Sequence, residues 1–389
     1  MLLYLIIFLV GAGAYVLGGR ENRSRLFLGV YVAFLALFVG LSDMFGGYDR
    51  YIYGQVFDSF ADDVTNGLSF SQAGMRDYFE TGYQLFTWAL AHITENRYIY
   101  ILIVTLIMYF NVYKVMSRHM RNYPLAMVLF FGMLFFFSFT YLRQFLACSI
   151  AWFAIKYMLE RRWVVFALLM IVVVMLHKAG IVFVVVFMLP IRKFPRGVVA
   201  CLLLMCLAVG VSGVMASVYD LYVEIQNLEV LKDDVYGETE GARIAYILEA
   251  LLVAGYILMN YDKVKDNRES ILFLNMALCF CAFLLIFVKS DNGGRMSWLF
   301  AMGVIYTVTQ IATSERAGSM GVGITKMAIV ALCLGMYMRV FIAWQNYDNL
   351  YPYKTFLTDG YRQPDFTWER YEYDHNYDDD KFYRRAFRF

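Results

Sequence analysis

Hydrophobic residues along this chain form long runs that are separated by short polar stretches. Most runs approach the roughly 17–20 residues that an α-helix needs to cross the hydrocarbon core of a bilayer. The runs lie at 1–17, 26–41, 98–113, 123–139, 145–158, 163–176, 179–189, 198–218, 244–259, 271–288, 298–311 and 327–344. The pattern therefore predicts an all-α polytopic integral membrane protein with about twelve transmembrane helices.

Two parts of the chain do not fit this pattern of full spans. Residues 42–80 carry too many charged side chains to cross a membrane, and residues 81–94 are apolar but short. We interpret 42–97 as an extracytoplasmic loop in which 81–94 forms a re-entrant or interfacial helix. The predicted organisation is a transmembrane domain over 1–345, followed by an aromatic extracytoplasmic tail over 346–389.

The distribution of charge orients the predicted helices in the membrane. With the N-terminus outside, six short loops on one side each carry at least two Lys or Arg residues, and an acidic extracytoplasmic loop at 219–243 falls on the other side. Cytoplasmic loops are enriched in Lys and Arg, so both termini are predicted to be extracytoplasmic. The basic end of the tail, 384–389, is the one segment that disagrees with this orientation.

Composition supports the membrane assignment and weighs against several other classes of protein. The 389 residues are 61% hydrophobic and 17% charged, with a formal net charge of +2, and a soluble protein could not bury so much apolar surface. The six cysteines and four histidines show no zinc-ligand spacing. Without a glycine-rich phosphate loop or a massed basic surface, nucleotide-driven and nucleic-acid functions are unsupported. We expect no metal and no cofactor.

The stretch 140–147, with Arg143 at its centre, lies between two of the apolar runs. Hydrocarbon does not tolerate a free guanidinium, so Arg143 lies either at the membrane interface or in a cavity, and it needs an anionic partner. The neighbouring Gln144 and the flanking apolar residues favour a buried role over a side chain that snorkels to the interface.

Further polar residues are predicted at the same outer ends of the helices. They are Asp43, Asp49, Arg50 and Glu80 in the first loop, then His177, Lys178, Arg243, Arg295, Tyr351 and Tyr353. Arginines that converge at one depth would form a phosphate or pyrophosphate site, because a guanidinium binds two oxygens at once. A histidine beside them could exchange a proton near neutral pH. Simpler interpretations stay open for each residue, as a hairpin turn, a loop cap or a solvated charge.

The order of these residues resembles the EpsG family of exopolysaccharide polymerases, which are Wzy-like. The elements are Asp49, Tyr53 and Phe57, then Glu80-Thr81-Gly82-Tyr83, Leu142-Arg143-Gln144-Phe145-Leu146-Ala147, Leu176-His177-Lys178, Arg295 and Tyr351-Pro352-Tyr353. The Arg-Gln-x-x-Ala element and the following histidine are the most specific part of the resemblance. Two departures are Lys178, where a small residue such as Ser often follows the histidine, and the long aromatic tail.

The resemblance implies a membrane glycosyltransferase with a GT-C-like fold. It would move a growing glycan from a polyprenyl-pyrophosphate carrier onto a sugar hydroxyl of another carrier-linked repeat unit, with retention or inversion left open. The implied location is the bacterial cytoplasmic (inner) membrane, at its outer face. The implied partners are the lipid-linked oligosaccharide as donor and acceptor, the bilayer, and flippase and chain-length regulator proteins.

Each predicted site residue takes a role in this implied reaction. Arg143 and Arg295 would bind the pyrophosphate, with Arg243 or Lys178 assisting. His177 would deprotonate the acceptor hydroxyl as general base. The alternative bases are Asp49 and Glu80, and the remaining expected substrate-binding residues are Gln144, Arg50, Tyr83, Tyr351 and Tyr353.

Three other functions stay open from the sequence. A flippase or transporter for the same lipid-linked sugar would need charges along a path through the midplane and related halves, and neither feature is visible here. A ligase of the O-antigen type would use similar residues with a different acceptor. A non-catalytic scaffold would leave the Arg and His residues without a purpose.

Overall fold

The computed structural model describes residues 2–18, 24–43, 48–72, 79–215, 243–290, 293–314, 320–345, 350, 353, 355–357 and 384–388. Within these ranges the secondary structure is helical, apart from one isolated antiparallel bridge between Ser42 and Thr355. The acidic loop up to residue 242, Tyr351 and most of the predicted tail lie outside the described residues.

The helices follow one another closely along the chain. They are α1 (Leu2–Val16), α2 (Arg25–Gly40), α3 (Tyr48–Thr65), α4 (Thr81–Ala91), α5 (Arg97–His119), α6 (Tyr123–Met133), α7 (Phe137–Thr140), α8 (Leu142–Leu159), α9 (Trp163–Leu176), α10 (Val185–Met188), α11 (Arg196–Ser212), α12 (Ile244–Met259), α13 (Arg268–Ile286), α14 (Gly293–Trp298), α15 (Ala301–Ser314) and α16 (Met320–Gln345). Two 3-10 helices lie at Lys178–Val184 and Tyr261–Lys263.

Many of these helices expose large apolar side chains, as expected for a protein in lipid. Three described segments are long and apolar enough to cross a membrane, namely Arg97–His119, Arg268–Ile286 and Gly323–Ala343, and several shorter apolar helices accompany them. Large apolar side chains such as Leu17 and Met259 are more than four-fifths exposed. The protein is therefore a membrane-embedded, helical protein. About twelve spans and a GT-C-like fold stay predictions.

The helices divide into two compact units. The first unit comprises Met1–Tyr157, Arg162–Ile181 and Gly318–Phe389, and the second comprises Met158–Arg161 and Val182–Ala317. In the second unit α13 packs against α11, α12 and α15, and the rings of Phe273 and Tyr306 stack at 4.3 Å between centroids.

An aromatic core joins α1, α6 and α16 in the first unit. Phe8 of α1 contacts both Phe131 of α6 and Tyr337 of α16, with ring centroids 6.1 and 5.2 Å apart. The Tyr337 hydroxyl donates a hydrogen bond of 2.9 Å to the Tyr4 carbonyl, which joins α16 to α1. Tilted and edge-on ring pairs at these distances add to the free energy of packing beyond area burial alone.

Part of the polar stretch 42–80 forms a helix rather than a continuous loop. The 18 residues of α3 bury one face, which includes Tyr53, Phe57 and Phe60, while Gln55 and Asp62 are exposed. The charged residues conceal an apolar pattern with the helical period of 3.6. This helix was not predicted from the sequence, because the many charged residues obscure the helical spacing of the apolar ones.

Several predicted helices are interrupted in the structure. The run 123–139 forms α6 and the short α7, with a break after Met133. The run 179–189 forms a 3-10 helix followed by the four residues of α10, where a continuous α-helix was predicted. Continuous hydrophobicity does not report where backbone hydrogen bonding changes from one helical type to another.

Two described parts of the tail contact helices α2, α3 and α4. The Tyr353 hydroxyl donates a hydrogen bond of 2.8 Å to the Phe38 carbonyl near the end of α2. Farther along, Arg384 pairs with Asp62 through two contacts of 2.9 and 3.2 Å, and Arg388 donates to the Ala91 carbonyl at 2.6 Å. These contacts hold residues 384–388 beside the ends of α3 and α4.

Candidate functional site

The carboxylate of Glu80 lies at the centre of a cluster of hydrogen-bond donors. Arg143 Nη1 donates to Glu80 Oε2 at 2.5 Å. The other carboxylate oxygen, Oε1, lies 3.2 Å from His177 Nδ1 and accepts a hydrogen bond of 2.9 Å from the backbone N–H of Lys178. We call Glu80, Arg143, His177 and the Lys178 amide the Glu80 cluster. It joins three predicted site elements that lie far apart in the sequence.

Each side chain of the Glu80 cluster lies at the end of a helix. Glu80 is the N-cap residue of α4, Arg143 lies in the first turn of α8, and His177 is the C-cap residue of α9. Helix ends leave backbone groups unpaired and allow the chain to turn, so polar side chains there can reach one another without interrupting a helical hydrogen-bond ladder.

Gly82 explains how Glu80 reaches His177. A methyl group at position 82 would lie 2.7 Å from the carbonyl oxygen of Met175 and 2.5 Å from its Cβ. A side chain at this position would therefore force α4 away from the last turn of α9. Because Glu80 lies two residues before Gly82 and His177 two residues after Met175, this close approach places the two polar side chains within contact.

An aromatic ring covers the guanidinium of Arg143. The Arg143 Cζ lies 4.7 Å from the centroid of the Phe79 ring, and Phe79 packs against Tyr53 at 5.3 Å and Tyr83 at 5.4 Å. A cation over an aromatic face is attracted by the ring quadrupole. The ring and the carboxylate together restrict the rotamers of Arg143 while 21% of its side chain stays exposed.

The charges in the cluster keep Glu80 ionised. Burial alone would raise the pKa of the Glu80 carboxyl, but the hydrogen bond with His177, the charge of Arg143 and the Lys178 N–H lower it more, to about 2. Hydrogen bonds and positive charges favour the anionic form of a carboxyl group. At neutral pH Glu80 therefore accepts hydrogen bonds and has no proton to donate.

The region that contains this cluster matches a known protein family. A profile of the EpsG family matches residues 25–355. The chain belongs to the EpsG family. Membership supports a membrane protein of polysaccharide biosynthesis and, at a coarse level, an enzyme of the glycosyltransferase-like polymerase type. No curated protein and no solved structure matches the chain.

The matched region of this EpsG-family chain also contains Arg50, which has different surroundings. Arg50 is fully buried and donates to the carbonyls of Val39 at 2.9 Å, Ser42 at 3.3 Å and Phe139 at 3.3 Å. Burial lowers the pKa of Arg50 to about 10, so the side chain is charged at neutral pH. Its guanidinium binds the backbone at the ends of α2 and α7, and the predicted contact of Arg50 with substrate stays a prediction.

Tyr83 is also a structural residue in this EpsG-family chain. Its side chain is fully buried, and its hydroxyl lies 2.6 Å from that of Tyr100 on α5. Its hydroxyl is directed into the protein interior, and the predicted contact of Tyr83 with substrate stays a prediction. The residue supports the cluster indirectly, through the contact between its ring and Phe79.

Three other predicted site residues of the first unit are not members of the Glu80 cluster. Tyr353 is half-buried and its ring stacks on Phe38 with 4.1 Å between centroids. Gln144 is buried next to Arg143 in α8, and Asp49 is half-buried in the first turn of α3. Their roles toward substrate stay predictions, as does that of Tyr351, which lies outside the described residues.

Arg243 and Arg295 belong to the second unit. Arg243 precedes α12, and its Cζ lies 5.8 Å from the centroid of the Tyr246 ring. Arg295 is half-buried in α14, and a methyl group on the preceding Gly294 would lie 2.9 Å from the Tyr246 hydroxyl. The start of α14 therefore lies against the tyrosine that Arg243 also approaches. A contribution of either arginine to pyrophosphate binding stays a prediction.

Three contributors to the cluster were not predicted as such. Lys178 was predicted to act through its ammonium group, whereas its backbone N–H is the group that donates to Glu80. Phe79 and the close approach at Gly82 were not predicted at all. The run Glu80-Thr81-Gly82 carries a signal for the glycine, since a glycine in the first turn of a helix often marks a close backbone contact. Among the described residues, no group of three His, Cys, Asp or Glu side chains is arranged to hold a metal.

Proposed function

We propose that this protein is a polysaccharide polymerase of the bacterial cytoplasmic membrane. It transfers a growing glycan from polyprenyl pyrophosphate to a hydroxyl of a lipid-linked repeat unit at the outer face. The observation that carries the proposal is the contact of Arg143 and His177 with one carboxylate, that of Glu80, in a chain of the EpsG family. A cation for the leaving group and a base for the acceptor thereby lie in one cluster.

Arg143 is suited to stabilise the leaving group. When the anomeric carbon–oxygen bond breaks, both electrons stay with the pyrophosphate, so negative charge grows on its oxygens. The Arg143 side chain donates from Nη1 to Glu80, and 21% of the side chain stays exposed. A guanidinium that is already fixed by Glu80 and Phe79 can donate further hydrogen bonds to a developing anion without reorganisation.

His177 is suited to activate the acceptor. The imidazole takes the proton of the acceptor hydroxyl while that oxygen forms its bond to the anomeric carbon. The pyrophosphate leaves with the bonding electron pair, and the proton resides on His177 until solvent removes it. The base therefore takes the proton of the acceptor, and the cation stabilises the negative charge on the leaving group.

The position of the charges supports glycosyl transfer over transport. Glu80, Arg143 and His177 all lie at helix ends, where water and a sugar can reach them. A transporter would need ionisable residues along a path near the bilayer midplane. Glycan transfer at the membrane surface requires only that the lipid tail stays in the bilayer while the pyrophosphate meets the helix ends.

The predicted topology supports a location of this chemistry at the outer face. About twelve spans with both termini outside follow from the charge of the loops. The contact of Arg388 with the Ala91 carbonyl supports a common side for the tail and the loop 42–97. Flippase and chain-length regulator proteins would act at the same face, the first by delivering the repeat units and the second by setting the length of the polymer.

Reconstituted protein tests the proposal directly. Purified protein in liposomes with lipid-pyrophosphate-linked repeat units should produce a ladder of longer glycans on gels. His177→Gln should lose the ladder, whereas His92→Gln should keep it, because His92 is exposed and lies outside the Glu80 cluster. Movement of repeat units across the bilayer without new glycosidic bonds would identify a transporter, and a single transfer to a different acceptor would identify a ligase.

A further inference from the structure

We propose that Glu80 is a positioning residue that fixes the tautomer and orientation of His177, so that His177 Nε2 is the atom that receives the proton. The proposal rests on the proposed function, because it assigns roles within the same reaction. It replaces the alternative in which Glu80 is itself the general base. It also gives the Lys178 backbone a part in the site.

The tautomer follows from the partners of the carboxylate. Glu80 Oε1 lies 3.2 Å from His177 Nδ1, and an ionised carboxylate can only accept hydrogen bonds. The hydrogen of the Nδ1···Oε1 contact must therefore be carried by the histidine. A neutral imidazole has one N–H, so Nε2 holds the lone pair and is the basic atom.

The remaining contacts of Glu80 prevent its carboxylate from rotating away. The Lys178 N–H donates to the same Oε1 at 2.9 Å, and Arg143 Nη1 donates to Oε2 at 2.5 Å. The Lys178 amide follows His177 directly in the chain, so the backbone and the ring of the same turn hold one oxygen. A carboxylate with both oxygens bound this way fixes the plane of the imidazole.

Glu80 is poorly suited to be the base itself. The hydrogen bond with His177 and the charge of Arg143 outweigh the effect of burial and lower the pKa of Glu80 to about 2. A base is most effective when its pKa lies near the working pH, and this carboxylate is far below neutral. Its two oxygens are also occupied by donors of the protein, whereas 19% of the His177 side chain is exposed.

The backbone of the first unit builds this arrangement. Gly82 lets α4 approach α9 so closely that a methyl group would lie 2.7 Å from the Met175 carbonyl oxygen. His177 is then held at the end of α9 by its N–H, which donates to the Val173 carbonyl at 3.0 Å. Among the described residues, the charged group in contact with His177 is Glu80. Arg143 contacts Glu80 in turn, and Lys178 follows His177 in the chain.

Enzymes with a carboxylate–histidine pair show what the loss of such a partner does. When the carboxylate that orients a catalytic histidine becomes an amide, the wrong tautomer forms and kcat falls by about 10⁴-fold, although the geometry is kept. Loss of the carboxylate that orients a metal-bound histidine commonly lowers metal affinity or activity by about 10–100-fold. The Glu80→Gln variant should accordingly lose activity through kcat, with a smaller change in KM.

The first test measures polymer synthesis as a function of acceptor concentration in wild type, Glu80→Gln and Glu95→Gln. We expect kcat of Glu80→Gln to fall at least a hundredfold, about the upper range for an outer carboxylate, with a smaller change in KM. Glu95→Gln is the matched control, since Glu95 also pairs with an arginine, Arg388, at 3.2 Å, and it should resemble wild type.

Nitrogen NMR of histidine-labelled wild-type protein is the second test, and it reports the tautomer of His177 in the wild-type site. The chain has four histidines, and the His177 signal is assigned by its loss in His177→Gln. We expect the neutral ring to carry its proton on Nδ1.

The outcomes separate this proposal from the proposed function. If wild type makes no glycan ladder, the proposed function fails. If wild type makes the ladder but Glu80→Gln keeps the kcat and KM of wild type, the positioning role is overturned. A neutral His177 that carries its proton on Nε2 overturns it as well, whatever the activity of the variants.

Discussion

Arg50 and Arg143 are two arginines of the first unit that the sequence presents alike, and the structure gives them opposite surroundings. Arg50 is fully buried and donates to three backbone carbonyls. Arg143 is 21% exposed and donates to a carboxylate that His177 shares. The partner and the exposure, rather than the residue type, distinguish an arginine that stabilises the fold from one that can bind a ligand.

The difference has a physical basis in what each arginine satisfies. The carbonyls that bind Arg50 lie at the ends of α2 and α7, where helical hydrogen bonding stops and oxygens need donors. Glu80, in contrast, has donors other than Arg143, and 11% of its side chain is exposed. Loss of Arg50 therefore removes a charged donor from three buried carbonyls, of which that of Val39 keeps the Ser42 hydroxyl. Loss of Arg143 leaves a carboxylate that still has His177 and the Lys178 N–H.

The largest effect is expected for Arg143→Ala. The variant should fold and insert, because Glu80 keeps its contacts with His177 and the Lys178 N–H. Its rate of polymer synthesis should fall by about 10²–10³-fold, the cost of removing one donor from a developing anion. Arg143→Lys should recover little activity, since an ammonium cannot bind two oxygens in one plane. Glycan ladders from purified protein measure both rates, and wild-type polymer from Arg143→Ala would remove Arg143 from the mechanism.

Gly82→Ala should disturb the same region through the backbone. The added methyl group would meet Met175 and push α4 away from α9, so Glu80 would move relative to His177. A displacement of about 1 Å in a catalytic cluster can lower the rate by about 10²-fold. Gly13→Ala is the matched control, because a methyl group there has no neighbour within 4 Å. Equal activity of the two variants in the ladder assay would show that the close approach does not matter.

Arg50→Ala should show the opposite pattern, with a loss of stability and little loss of activity per folded molecule. Hydrogen bonds to charged groups contribute about 1.5–3 kcal/mol to stability, and three buried carbonyls lose such a donor here. Thermal unfolding in detergent, followed by tryptophan fluorescence, measures the change. A variant that unfolds like wild type but makes no polymer would instead support the predicted contact of Arg50 with substrate.

A smaller effect is expected from pH. The pKa of Glu80 is lowered from 4.5 to about 2, so its contribution to the free energy of unfolding is fully present above pH 4.5 and is lost as the pH falls toward 2. Wild type should be more stable than Glu80→Gln at pH 6, by about 1 kcal/mol or roughly 2–4 °C in Tm, and this difference should shrink by pH 3. A difference that is constant between pH 6 and pH 3 would contradict the ionised cluster.

The sequence was sufficient to predict the class of protein and its family. Apolar runs and loop charges predicted a helical membrane protein, and the family resemblance that rests on Arg143 and His177 is confirmed by the family match over residues 25–355. Arg143 needed an anionic partner on physical grounds, because a free guanidinium is too costly in or near hydrocarbon. The structure supplies that partner as Glu80.

The rest depended on tertiary contacts that a single sequence does not contain. Arg50 and Arg143 both follow a polar or aromatic segment at the end of an apolar run, and nothing local separates them. Burial of Arg50 depends on the ends of α2 and α7 meeting around it. The role of the Lys178 N–H and the need for glycine at position 82 likewise arise where α4 meets α9.

Equilibrium binding of polyprenyl pyrophosphate to purified protein in nanodiscs tests the central claim most directly, namely that Arg143 binds the carrier's pyrophosphate. We expect Kd to rise about tenfold to a hundredfold in Arg143→Ala, as for the loss of hydrogen bonds to a charged group. It should not change in Arg388→Ala, which removes an arginine that pairs with Glu95 outside the Glu80 cluster. Equal affinity of wild type and Arg143→Ala would contradict the account.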